Sequence, residues 1–335
     1  MTTQPGPLER WQFETGKLMT GHPPVWRDRN KKVVFGIGCP PGCVHGGRLD
    51  YSRWPAMPLP DKVDLADAIR RVEGRENHYD YAPVPGLASA VEWHVNFADP
   101  CLFVAYGSSL LAQDEMQVAE HPALGALREA LDAEGLEAMT VSGDQPTPVL
   151  VMGAERRCRI ATDRDAAEGR PNGLYGNAFS RAPVEAVRRA VTRIDPPTVT
   201  NLIAMAAPCD GDGPYSQSQV RRVLDTAYTG FRAAAIESAR HRGGRCPVVV
   251  HSGFWGCGAF GGNRVLMAAL QALSAGMAGL DRLVMHAFDA AGTGALKEAM
   301  AVIGTGLSDQ PVIGTGELVE RIVALGFEWG VSDGN

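Results

Sequence analysis

The sequence predicts an α/β fold built as one body with an N-terminal extension, and three observations lead to it. PVVVHS (247–252), the Gly-rich run GFWGCGAFGG (253–262), the helical run NRVLMAALQALSAGMAG (263–279) and RLVMHAF (282–288) succeed one another as strand, loop, helix and strand, a βαβ unit. VLVMG (149–153) and NLIAMAA (201–207) are short apolar runs that read as further strands. Segments of helical spacing alternate with all of these, and neither an internal repeat nor a low-complexity linker divides the chain.

Taken in order, residues 1–60 are rich in Pro, Gly, Trp and Arg, with turn signals CPPGC and PAMPLP. They read as an irregular arm anchored by Trp11, Trp26 and Trp54 on a body spanning 61–335. Val63, Leu65, Ala68, Ile69 and Val72 have helical spacing, so 61–73 is expected to be a helix capped by Asp61 or Asp64. VEWHVNF (91–97) is a strand. A loop follows it, then a helix whose later part repeats through Leu124, Leu127 and Leu131. The polar stretch 156–172 is read as loop, and PVEAVRRAVTRI (183–194) as a helix opened by Pro183 in its first turn. QVRRVLDTAYTGFRAAAIESAR (219–240) is a long helix, and two more are expected near 295–303 and 317–325.

Composition excludes several functions. With 45% hydrophobic and 21% charged residues in 335, the chain can bury a sizeable core. Its net charge of -6 argues against a wide phosphate-gripping surface, so no direct nucleic-acid binding is expected and any anion must be held locally. The first residues carry charges and no apolar h-region, and no run is long enough to span a bilayer, so no membrane partner is expected. Seven scattered cysteines fit a reducing compartment, and the protein reads as cytoplasmic. Cys39, Cys43 and His45 could form part of a metal site, but the spacing is not a standard zinc pattern and a fourth ligand is not visible. No metal is therefore expected. His94, His251 and His286 fall in or beside strands, where satisfied core histidines are commoner than catalysts.

Gly256, Gly258 and Gly261 satisfy G-x-G-x-x-G between a strand and a helix, where backbone N–H groups and the helix N-terminus favour an anion such as a diphosphate. A dinucleotide fold would want an acidic residue about twenty positions on, and Asp281 or Asp289 are the candidates. That reading is strained, because little chain remains for further strands and Asp281 precedes its strand. A plain structural turn is the common reading of an isolated match.

The flanks of that loop point further. HSGFWGCGAFGGNRVLMAALQALSAGMAGLDRLVMHAFD (251–289) resembles the C-terminal signature of poly(ADP-ribose) glycohydrolases, with Trp255 to Gly262, Gln271, Ala278, Gly279 and Asp281 matching in order. VNFADPCLFVAYGSSLLAQDEMQVAEHPAL (95–124) is similar to a second family block without a gap. There Asn96 and Asp99 stand where the family has Asp and Asn, and Gln113, Asp114 and Glu115 where it has Gln-Glu-Glu. GAER (153–156) and RRVLDTAYTGF (221–231) are further echoes, and the resemblance covers roughly 91–290. It implies a macrodomain-like three-layer α/β/α sandwich with a mixed sheet. It also implies an ADP-ribose-containing ligand held by Gly253, Trp255, Gly256, Cys257, Gly258, Ala259, Phe260, Gly261 and Gly262.

Two departures stand out. Phe103, Val104 and Ala105 occupy the family's three consecutive glycines, where side chains would fill space that backbone normally leaves to ribose and phosphate. Gly107, Ser108 and Ser109 follow as a shifted loop. Asn177 falls where a tyrosine is expected, with Tyr175 as its substitute, so contacts to the distal sugar are altered.

Cleaving a ribosyl bond needs a proton for the leaving group and delivery of water to an oxocarbenium-like centre, which one carboxyl can serve in turn. The resemblance assigns this to Glu115, with Asp114 holding ribose hydroxyls and Asn96 and Asp99 as ribose or adenosine contacts. A like charge alongside and partial burial would raise the proton affinity of Glu115. Without the match, the Asp-Glu pair would read as helix-dipole compensation, and Asn96 and Asp99 as turn or capping residues. The expected activity is a glycosidase of ADP-ribose-containing substrates that needs no cofactor, acting on mono-ADP-ribosyl groups, including those on protein, or on an NAD-derived molecule in preference to long polymer. A non-catalytic ADP-ribose-binding module is the alternative, and an NAD-dependent dehydrogenase the least favoured.

Overall fold

The computed structural model describes residues 5–209, 211–307 and 309–334. In chain order its elements are β1 (Glu9–Glu14), α1 (Thr15–Gly21), α2 (Arg29–Gly38), β2 (Arg48–Arg53), β3 (Lys62–Asp64), α3 (Leu65–Arg70), β4 (Val72–Arg75), β5 (Val91–Phe97), α4 (Gln113–Glu120) and α5 (Pro122–Ala133). There follow β6 (Val141–Ser142), β7 (Gln145–Pro146), β8 (Val149–Ile160), α6 (Ala178–Arg181), α7 (Val184–Ala190), β9 (Val191–Met205), α8 (Gln217–Arg242), β10 (Val248–Ser252), α9 (Arg264–Ala278), β11 (Arg282–His286), α10 (Ala290–Ala301), β12 (Val312–Gly314) and α11 (Thr315–Ala324).

Eight strands form one mixed sheet in the order β1-β2-β8-β9-β5-β10-β11-β4. From β9 to β4 the neighbours are parallel, while β8, β2 and β1 are added by antiparallel pairing. The central strands are apolar on both faces because both are covered. On β8, Leu150 and Met152 enter one core and Val149 and Val151 the other; Ile203 and Met205 alternate with Leu202 and Ala204 in the same way on β9. Phe231 of α8 and Leu270 of α9 close the first core, and Val34 of α2, Val118 of α4 and Leu124 of α5 close the second. The result is the expected three-layer α/β/α arrangement. No helix among the described residues is long and apolar enough to cross a membrane.

The arm departs from expectation. Instead of an irregular strap, it supplies β1, α1, α2 and β2, and β2 pairs directly with β8, Tyr51 opposite Val151. Proline and glycine mark its turns, but Leu49 and Tyr51 alternate inward as a strand requires, and both are fully buried. Trp26 and Trp54 are buried anchors, whereas Trp11, on the outermost strand, is 44% exposed.

Three other segments differ. The helix expected over 61–73 is only α3. Asp64 does cap it, accepting the Asp67 N–H at 2.9 Å, but β3 before it pairs with β12 and β4 after it joins the sheet edge beside β11. β8 runs on to Ile160 into the stretch read as loop. The helix opened by Pro183 stops at Ala190, where the chain becomes β9 and pairs with that extension, Val191 opposite Ile160. Pro196 and Pro197 lie in the register shift between the Arg193–Cys158 and Thr198–Arg156 pairs, so neither breaks the ladder.

Candidate active site

The site grows from the turn between β5 and α4. Gln113 ties the two together: its Oε1 accepts the Phe97 N–H at 2.7 Å and its Nε2 donates to the Val95 carbonyl at 3.0 Å. With both ends of its amide committed to backbone, Gln113 sets the position of α4 and is not presented to a ligand. Asn96, buried near the end of β5, donates Nδ2 to Asp114 Oδ1 at 3.0 Å and to Gln117 Oε1 at 2.9 Å. Its Oδ1 has no partner among the described residues. Asp99 makes the turn itself, accepting the Cys101 N–H at 2.8 Å.

Asp114 and Glu115 occupy the first turn of α4, both buried. Glu115 Oε2 accepts the Ala112 N–H at 3.1 Å, and the helix N-terminus favours negative charge there. Burial works the other way. It pushes the Asp114 carboxyl up to about 8, with the charge of Glu115 as the next cause, and holds Glu115 above the usual carboxylate range. The two titrate as a pair.

A third charge completes the group, and sequence reasoning missed it. Lys31 of α2 is fully buried, its Nζ donating to the Tyr106 carbonyl at 2.7 Å. Burial lowers its ammonium to about 8, against the pull of Glu115, Asp114 and Asp28. Asp28 caps α2 through the N–H groups of Asn30 and Lys31, and Asn30 donates to the carbonyls of Phe179 and Ala182, which fixes the helix in place. The one signal was spacing: Lys31 precedes Val34 by three residues and so shares the inward face of α2.

The segment replacing three glycines behaves differently from expectation. Phe103 has φ 54° and its ring is fully buried in the second core, in the cluster that holds Leu102 and Leu111. It therefore fills core volume and not cleft volume, while Val104 is 47% exposed. At Gly107 a Cβ would stand 2.3 Å from the Val25 carbonyl oxygen, so only glycine lets the arm dock on this loop.

Tyr175 is brought to the start of α4 by backbone bonding between Gly176 and Leu111. It is 41% exposed, and its hydroxyl meets the Gln113 backbone and faces the charges of Asp333 and Glu115. Asn177 donates to the Gly334 carbonyl at 2.9 Å.

The Gly-rich loop joins β10 to α9, whose N-terminus is capped by Asn263 through the Leu266 N–H at 3.1 Å. Gly256 has φ +76°, and a Cβ there would stand 2.5 Å from Ala207 Cβ; a Cβ on Gly262 would stand 2.7 Å from the Gly256 oxygen. Gly253 is buried, and its carbonyl accepts from Gln271 and from the Trp255 N–H. Trp255 is removed from the ligand set, since its side chain is fully buried and its indole N–H donates to the Met205 carbonyl at 2.9 Å. The Cys257 thiol is pushed up to about 12 by burial, and Phe260 packs against the first core, while Ala259 is exposed. Among the described residues, no hydrogen bond uses the N–H groups of Gly258, Ala259 or Phe260. The segment after α11 crosses this loop: Gly330 donates to the Gly261 carbonyl at 2.7 Å, and Asp333 Oδ2 lies 3.1 Å from where a Gly258 Cβ would be.

β5 and β10 are adjacent and parallel, Trp93 opposite Val250, so the carboxyl pair and the Gly-rich loop leave the sheet from the same ends of neighbouring strands. Tyr175, facing both Glu115 and the Asp333 that lies on Gly258, spans the gap. Crevices at such strand ends are where open α/β sheets bind ligands. The three strand histidines sit deeper. His251 contacts Glu92 at 2.7 Å and His286 at 3.2 Å, but His94, stacked on His251 at 4.4 Å, has neither ring nitrogen partnered among the described residues. It is buried yet not a satisfied core histidine.

Residues 169–293 match the family described as poly(ADP-ribose) glycohydrolase (PARG), Macro domain fold, and the mixed sheet with helices on both faces is that fold. No curated protein sequence matches the chain. Among solved structures, poly(ADP-ribose) glycohydrolase from Thermomonospora curvata is 17% identical, with 88% of this chain and 85% of that chain covered and a TM-score of 0.43. The Deinococcus radiodurans enzyme in complex with ADP-ribose is 15% identical, covering 72% of this chain and 91% of that chain, with a TM-score of 0.41.

Proposed function

We infer that this chain, whose residues 169–293 match the poly(ADP-ribose) glycohydrolase family, hydrolyses a ribosyl glycosidic bond of an ADP-ribose-containing substrate with Glu115 as general acid and base. The observation that carries the reading is the buried Asp114–Glu115 pair, raised in proton affinity and following β5, whose parallel neighbour β10 runs into the Gly-rich loop.

In this reading the loop's N–H groups at Gly258, Ala259 and Phe260 hold the diphosphate. Protonated Glu115 donates to the leaving atom as the bond to the anomeric carbon breaks, and the electron pair departs with the aglycone. The negative charge left on Glu115 balances the oxocarbenium-like ribose. Water then adds to the anomeric carbon, and its proton returns to Glu115. Asp114, held by Asn96, orients ribose hydroxyls, and Lys31 limits how far the pair's proton affinity rises. A mono-ADP-ribosyl group, on protein or on a small molecule, is the favoured substrate over long polymer, given the side chains of Val104, which is exposed, and Ala105 in place of glycines.

The test is incubation with NAD, ADP-ribosylated protein and poly(ADP-ribose), with chromatographic identification of released ADP-ribose, for native chain and Glu115→Ala. The reading expects release from at least one substrate and a loss of about 100-fold or more in the variant, with ADP-ribose affinity kept. A second reading, a non-catalytic ADP-ribose-binding module, is favoured by the Glu115–Ala112 hydrogen bond, which gives that carboxylate a structural use. It expects affinity without release, in both proteins.

A further inference from the structure

The loop between α2 and β2 carries a cluster that the activity leaves unused. Cys39 Sγ, Cys43 Sγ and a ring nitrogen of His45 all lie within 4.8 Å of one another, the one such group of three among the described residues. Cys43 Sγ and His45 Nε2 are 3.6 Å apart. Around a tetrahedral zinc ion with ordinary bond lengths, a sulfur and a nitrogen ligand are separated by about 3.6 Å and two sulfurs by about 3.8 Å. Both cysteines are free thiols. The loop is shaped for convergence: Pro40 and Pro41 restrict it, the Cys43 N–H closes a turn on the Pro40 carbonyl at 3.0 Å, and Gly42 takes φ +81°.

The surroundings supply what a ligating histidine needs. His45 Nδ1, the nitrogen turned away from Cys43, faces Glu155 Oε2 of β8 at 3.4 Å, and the same carboxylate accepts the Gly46 N–H at 3.1 Å. A carboxylate behind the non-ligating nitrogen fixes the ring and its tautomer. Arg157 is paired with Glu155 and donates to the Val44 carbonyl. A zinc ion with two thiolates and a neutral imidazole adds no net charge beside that ion pair. Cys158 is close to the loop, but its Sγ is turned to the Ala119 carbonyl at 3.8 Å, outside the cluster.

We propose that Cys39, Cys43 and His45 bind one zinc ion, with water as the fourth ligand and Glu155 positioning His45. Binding displaces one proton from each thiol, two in all, and leaves the imidazole neutral. The ion closes the loop between β2 and α2, the helix that carries Lys31, and the His45–Glu155 contact holds that loop against β8.

The full chain, reduced and freed of metal, is titrated with Co²⁺ alone and then Zn²⁺. The expected result is one equivalent of four-coordinate Co²⁺ with thiolate-to-metal charge transfer, displaced by Zn²⁺ and accompanied by a rise in Tm. Cys43→Ser and His45→Ala lose stoichiometric binding, Cys158→Ala keeps it, and Glu155→Gln weakens it by about 10-fold or more. Folding of each variant is followed by circular dichroism. If a loop variant does not fold, the native chain still decides by its cobalt spectrum. A six-coordinate spectrum without charge transfer, binding below one equivalent, or full binding by folded Cys43→Ser overturns the proposal.

Discussion

Asn96 and Asp114 meet amide to carboxylate at 3.0 Å across the turn from β5 to α4. This contact is the direct link between the sheet and the acidic pair, and Asn96→Leu removes it while keeping the volume. A buried carboxyl then loses its donor, which costs about 1–3 kcal/mol. Urea unfolding at pH 5 and pH 8 should give the larger loss at pH 8, where the fraction of ionised Asp114 is greater. Equal losses at both would separate Asn96 from the ionisation.

Asp114 is held near 8 in the folded chain against an ordinary value of 3.8. The folded state therefore binds more protons than the unfolded one between those values, and stability falls as pH rises through the window. Asp114→Asn removes that proton uptake. The variant should be more stable than the native chain at pH 8 by more than about 1 kcal/mol, with the difference gone near pH 4. Chemical denaturation across that range checks both the sign and the window.

Removing the ammonium of Lys31 takes away a charge that favours ionisation of Asp114 and Glu115. In Lys31→Met the pair keeps its proton to higher pH. The alkaline limb of kcat/KM for ADP-ribose release should move upward by about one pH unit. A limb that stays put while stability changes would leave Lys31 with a packing role alone.

The Gly-rich loop separates shape from charge. Gly256→Ala meets both a positive φ and a Cβ 2.5 Å from Ala207, so it should lower stability by more than about 1 kcal/mol. Asp333→Ala touches no core and takes a carboxylate off Gly258. Calorimetry should find ADP-ribose bound at least about threefold more tightly, as expected for relief of a like charge at a solvated edge. Unchanged affinity would mean that the diphosphate lies elsewhere.

Apart from β4, the parallel half of the fold was legible because βαβ units write themselves into sequence: apolar runs of strand length, a Gly-rich turn and a capped helix follow one another from Val248 to His286. The antiparallel half was legible only in part, through VLVMG at the start of β8 and NLIAMAA at the end of β9. β2 was hidden by Pro- and Gly-rich neighbours, and β9 continues from α7 without a break and carries two prolines that only a register shift accommodates. At the site, the resemblance pointed to Glu115 and Asp114, whereas Lys31 lies on a different helix from any motif. Trp255 and Gln113 match a pattern whose positions serve the scaffold, which a one-dimensional match cannot tell from contact. Phe103 misled for a local reason: its left-handed backbone turns the ring into the core.

Residues 9–53 complete the sheet and bring Lys31 to the acidic pair, so they cannot be trimmed as dispensable. A fragment starting at residue 61 would leave β8 without its neighbour, exposing a ladder of unsatisfied amides and carbonyls with Val149 and Val151 laid bare beside it. Such an open edge recruits other strands. Expression of that fragment should yield self-associating material, and any attempt to map a minimal folded unit has to keep β1 and β2.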